Sequence, residues 1–148
     1  MVNIVREFDV PCPQAEAIAY LADFAHAVEW DPGTVSCERI GDADAPIAVH
    51  STWRNVSKVL GRETELTYEL TSLRPDGVVL EGANKTAHSR DDIGVLAVDP
   101  LRSRVRYEAT ITFKGLAKVV DPLMALVFTK VANDTVRDMT AALTRVGH

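Results

Sequence analysis

The chain has 148 residues, of which 47% are hydrophobic and 25% charged, with a net charge of −5. That size and balance fit a single globular domain over residues 1–148 and exclude a disordered chain. The acidic surplus argues against a protein that grips nucleic-acid phosphates or an anionic membrane.

No apolar run approaches the roughly 18 residues that a membrane-spanning helix needs; the longest are Ile93–Val98 and Leu123–Phe128. Met1–Phe8 lacks a positive start followed by an apolar stretch, so no secretory leader is expected. The two cysteines, Cys12 and Cys37, have no CxxC spacing and read as reduced thiols of a cytoplasmic protein.

In chain order, Val2–Val10 reads as a strand that Pro11-Cys12-Pro13 breaks. Pro13 suits a first helical turn, and Ala15, Ile18, Ala19 and Ala22 recur at helical spacing. Asp23 can cap a second short turn through Val28, and Trp30-Asp31-Pro32-Gly33 ends the helical region. From Thr34 the period becomes two: strands are expected over Thr34–Ile40, Val49–Val59, Arg62–Leu73, Val78–Ala83, His88–Val98 and Val105–Phe113. Leu60-Gly61, Arg74-Pro75-Asp76-Gly77, Asn84-Lys85 and Asp99-Pro100 supply the turns between the later ones. In the last strand Val105, Tyr107, Ala109, Ile111 and Phe113 alternate with polar residues, which marks one buried face.

Gly115 ends the sheet, and Asp121-Pro122 supplies an N-cap and first-turn proline for a helix reaching about Val146. Val120, Met124, Val127, Phe128, Val131, Thr135, Met139 and Ala142 fall on one side of it, so it must lie on something apolar. Leu123 and Leu126 sit toward the polar side, where they would pack on a loop, on the short helices or across a homodimer.

Four local marks carry a resemblance. They are Phe8-Asp-Val-Pro-Cys-Pro; Ala19-Tyr-Leu-Ala-Asp-Phe leading into Trp30-Asp-Pro-Gly; Tyr107-Glu-Ala with Phe113-Lys-Gly; and Asp121-Pro-Leu-Met. In this order and spacing the whole chain resembles the START, polyketide-cyclase and birch-pollen-allergen superfamily, most closely its bacterial polyketide cyclase/dehydrase and lipid-transport branch. The resemblance implies an α+β helix-grip fold: a curved antiparallel sheet of about seven strands, two short helices after the first strand, and a long C-terminal helix over the concave face. It also implies a cavity between helix and sheet, and no particular reaction.

Face parity selects the candidate lining. Trp53, Leu66, Tyr68, Tyr107 and Ile111 share inward faces and converge near Met124, Phe128 and Val131. Large apolar residues often simply fill a core. The resemblance favours a cavity, as do the polar handles Tyr68, Tyr107 and Asn55. In His88-Ser89-Arg90-Asp91-Asp92 the same parity turns Asp91 and Ser89 inward, making Asp91 a candidate ligand-orienting acid. The competing reading of that cluster is a solvated strand end, and a one-residue slip would exchange Asp91 for Asp92.

His26, His50, His88 and His148 form no zinc pattern, and no nucleophile elbow, P-loop or dinucleotide fingerprint occurs. No catalytic residue, metal or cofactor is therefore assigned. The leading expectation is binding or transport of a hydrophobic small molecule, lipid or polyketide-like. An aromatase/cyclase-type enzyme, with Tyr68, Tyr107 or Asp91 moving a proton, is the alternative. A regulator or toxin with a filled, vestigial cavity is the third reading.

Overall fold

The computed structural model describes residues 1–59, 61–115 and 122–148, the side chains of 59 and 122–125 excepted. Its elements are β1 (Val2–Val10), α1 (Gln14–Ala22), a 3-10 turn (Phe24–His26), α2 (Ala27–Trp30), β2 (Thr34–Arg39), β3 (Thr52–Val59), β4 (Arg62–Arg74), β5 (Gly77–Ala83), β6 (Ala87–Asp99), β7 (Arg102–Phe113) and α3 (Pro122–Val146). The capping expected of Asp121 and the placements of Val120, Leu123 and Met124 lie outside the described residues.

The strands form one antiparallel sheet in the order β1-β7-β6-β5-β4-β3-β2. Each neighbour follows in sequence except β1, which crosses to pair with β7, Ile4 opposite Ala109. The turns keep register by local chemistry. Asn84 Oδ1 accepts the backbone N–H of Thr86 and of Ala87, both at 2.8 Å, before β6. Asp99 accepts from Leu101 N at 2.9 Å before β7. Gly61 takes the positive φ of 77° that the β3–β4 turn requires.

Several strand ends differ from the sequence reading by one to three residues, and two departures from plain alternation have local causes. β3 begins at Thr52 and not at Val49, because His50 adopts φ 80° and Ser51 N bonds back to Ala48 O at 2.9 Å, a turn that breaks the extended run. On β6, Ile93 and Val95 are fully buried while Ala97 is exposed, since the pairing with β7 shifts between Ala97 and Asp99.

The core is divided. At one end of the sheet Leu70, Val78, Leu80, Ile93, Val95 and Val105 pack solidly with Leu21 and, on α3, Met139 and Leu143. Asp23 caps the 3-10 turn through Ala25 N at 3.1 Å, as its position before Phe24 suggests. The same carboxylate accepts the Trp53 indole N–H at 3.2 Å. Phe24, Trp30 and Trp53 are thereby gathered into one aromatic plug. This is a helix-grip fold. Among the described residues, no helix is long and apolar enough to cross a membrane.

Candidate functional site

Beyond that plug the sheet and α3 separate. Between them lies a cavity of about 680 Å³, walled by Ile4, Leu66, Ala87, Ala109, Ile111, Phe113, Phe128, Val131 and Ala132. The register orders it in depth. Ile93 faces Tyr107 and Asp91 faces Ala109 next to the solid core; Ser89 faces Ile111 and Ala87 faces Phe113 farther out. Arg62 and Thr86, both exposed, mark the mouth.

Most of the polar lining is at the closed end. The Tyr107 hydroxyl donates to Asp91 Oδ1 at 2.9 Å, and both side chains are buried. Asp31 accepts from Gly33 N at 3.1 Å and from the Thr34 hydroxyl at 2.9 Å, and Asn55 Nδ2 donates to that same hydroxyl at 3.0 Å. Tyr68 lies over Gly82, where an added Cβ would come within 2.5 Å of its ring. The missing side chain at Gly82 is what lets this ring lie flat against β5.

Burial dominates the electrostatics. It pushes the Asp91 carboxyl up to about 7, with the charge of Asp31 adding to the shift and the Tyr107 hydroxyl opposing it. Asp31 is raised by burial too, against the hydrogen bonds from Thr34 and Gly33. Burial, and then the nearby Asp91, hold Tyr68 and Tyr107 far above their ordinary range, so both remain neutral donors. The site thus pairs an acid able to exist in either state near neutrality with fixed hydroxyls.

Of the residues expected to line a cavity, Leu66, Tyr68, Asp91, Tyr107, Ile111, Phe128 and Val131 do so together. Asp91 and Ser89 face inward. Asp92 faces away and pairs with Arg90 at 3.3 Å, and His88 pairs with Glu81 at 3.3 Å. Trp53 is inward, as parity required, but it belongs to the plug and not to the cavity wall. It is fully buried against Phe24, with the Arg39 guanidinium 5.6 Å from its ring centre. The Met124 side chain lies outside the described residues.

His26 stacks on Tyr20 with ring centres 4.2 Å apart and is not part of the cavity lining. Sequence reasoning places Asp31 only in a turn and misses its role. Its one signal is an acid set between a buried Trp30 and the strand that re-enters the sheet. Among the described residues, no group of three or more His, Cys, Asp or Glu is placed to hold a metal ion.

The family described as polyketide cyclase/dehydrase and lipid transport matches residues 1–146. The chain belongs to that family. A START superfamily protein from Mycobacterium smegmatis superposes with a TM-score of 0.79 at 8% identity, over 97% of this chain and 98% of the other. The Zhui aromatase/cyclase from Streptomyces sp. R1128 gives 0.73 at 14% identity, over 99% and 93%. TTHA0849 from Thermus thermophilus gives 0.74 at 13% identity, over 99% and 97%. At such identities the likeness is one of fold. No curated protein sequence matches the chain. Family and fold together are those of a hydrophobic-ligand-binding architecture.

Proposed function

We propose that the chain, as one domain over 1–148, is a cytoplasmic binding or carrier protein for a hydrophobic small molecule such as a lipid or a polyketide-like compound. The observation that carries this reading is the cavity of about 680 Å³, mostly apolar along its length and polar at its closed end. Small-molecule sites of roughly 300–1,000 Å³ have this composition, in which buried area gives affinity and a few polar groups fix orientation. A filled core, which a purely surface-acting regulator or toxin would have, is not what α3 and the sheet enclose.

The test is titration with the neutral fluorophore N-phenyl-1-naphthylamine. Saturable 1:1 uptake is expected for the native chain. It should be lost in Ala109→Phe, which fills the cavity from β7. Absence of saturable uptake by the native chain overturns the reading.

An enzymatic reading of aromatase/cyclase type is favoured by one observation, the Tyr107–Asp91 pair, a proton donor and acceptor at the end of a shaped apolar cavity. Positioning a flexible chain beside such a pair is much of what a cyclisation needs. A poly-β-ketone thioester would then turn over with an apparent pKa near 7 that Asp91→Asn abolishes; binding without turnover leaves the carrier reading alone.

A further inference from the structure

We propose that the closed end of the cavity is a head-group site for a protonated amine, so that the ligand is an apolar molecule carrying a basic nitrogen and not a carboxylic acid. The inference rests on reading the cavity as a ligand site. Two carboxylates, Asp31 and Asp91, reach its closed end, and neither has an ion-pair partner among the described residues. The Oδ1 of Asp91 takes the Tyr107 hydroxyl, while no described residue donates to Oδ2 of this buried side chain.

The groups facing the pair from the surrounding elements are neutral or acidic. Tyr68 stands on β4, Tyr107 on β7, Cys37 on β2 and Ser89 on β6 itself. From α3, Thr135 borders the cavity and Asp138 adds negative potential at Asp31. The one basic residue in the described lining, Arg62, is exposed at the mouth and has no ion-pair partner among the described residues.

A buried carboxylate without a countercharge, as Asp91 is, is costly, and the half-buried Asp31 beside it adds repulsion. A ligand ammonium supplies the missing charge, donates to the open Oδ2 of Asp91 and leaves its hydrocarbon body on the apolar wall. A ligand carboxylate would bring a third negative charge into the same space. Among the described residues a bare metal ion has too few ligands there.

Decylamine, decan-1-ol and decanoate, each below its aggregation concentration, are competed against bound N-phenyl-1-naphthylamine at pH 8. Decylamine should bind at least tenfold tighter than decanoate, with the alcohol between them. Asp91→Asn and Asp31→Asn should each cut that ratio at least fivefold. Asp9→Asn, which removes the same charge from the outer surface, should leave it unchanged. In the unaltered chain the ratio should also shrink from pH 8 to 5.5, as Asp91 takes up its proton. That series decides the matter even if an Asn variant fails to fold. Decanoate binding as tightly as decylamine, while decanol still displaces the probe, overturns the amine site and leaves the cavity reading standing. No uptake of the probe at all overturns both.

Discussion

Folding holds the Asp91 carboxyl at a pKa of about 7, against 3.8 for a free aspartate, so the folded chain keeps a proton that the unfolded chain has released between those values. The contribution of this group to stability therefore falls as pH rises from about 4 to 7, and Asp31 acts in the same sense. At ~1.4 kcal/mol per pH unit the penalty at Asp91 is on the order of 2–4 kcal/mol above neutrality. Asp91→Asn should raise the unfolding free energy at pH 8 by on the order of 2 kcal/mol and change it little at pH 4.5, as measured by urea unfolding at both. The surface carboxylates, Asp9 and Glu65 exposed and Asp99, Glu108 and Asp134 half-buried, have the opposite sign. Hydrogen bonds from Arg104, Arg54, the Leu101 backbone, Asn3 and Lys130 respectively hold them low. Their contribution is present above the ordinary carboxylate range and lost below it, which separates the two effects on the pH axis. Tyr107→Phe deletes the hydrogen bond that favours the charged form of Asp91. Carboxyl-carbon NMR should then show Asp91 titrating at a higher pH than in the native chain.

At the scale of elements, β4, β5 and α3 divide packing from cavity. Trp53 sits in the solid plug and Phe128 borders the cavity. Trp53→Ala should therefore cost about 3–5 kcal/mol, and Phe128→Ala well below the ~3 kcal/mol of a packed phenylalanine; denaturant midpoints of the two variants check the contrast. Gly82→Ala places a methyl within 2.5 Å of Tyr68 Cε2 and must push the ring off β5. It should destabilise by about 1–3 kcal/mol and reduce uptake of a neutral apolar probe, since the displaced ring has the cavity to move into. Much of this was legible in the sequence. Alternation told which side of each strand is inward for Leu66, Tyr68, Asp91, Tyr107 and Ile111, because parity is a local property of extended chain. Depth was not legible. Whether an inward residue meets the plug, as Trp53 does, or the void, as Tyr107 does, depends on where the short helices cross the sheet, and no strand encodes that alone. Asp31 was hidden for the same reason: its role comes from a loop folding back under α3.

For the whole molecule, the acidic balance and the lack of a basic stripe predict no salt-sensitive binding to duplex DNA or RNA near physiological ionic strength. Fluorescence anisotropy with a labelled duplex at two salt concentrations checks this, and tight binding that weakens steeply with salt would contradict it. The pairing of β1 with β7 has a further consequence, for synthesis. Asn3 Nδ2 donates to Thr110 Oγ1 at 2.8 Å across 107 positions of chain, and β7 is the one neighbour β1 has in the sheet. Translation delivers β1 before the other six strands and its mate after them. Until β7 leaves the ribosome, Ile4, Phe8 and Val10 have no sheet to join, whereas β2 through β6 can zip hairpin by hairpin as they emerge. Closing so long a loop is a slow step in folding. The nascent chain therefore carries an unpaired, partly apolar strand for as long as β2 through β6 take to emerge, and the concave side that α3 later covers stays open for that whole interval.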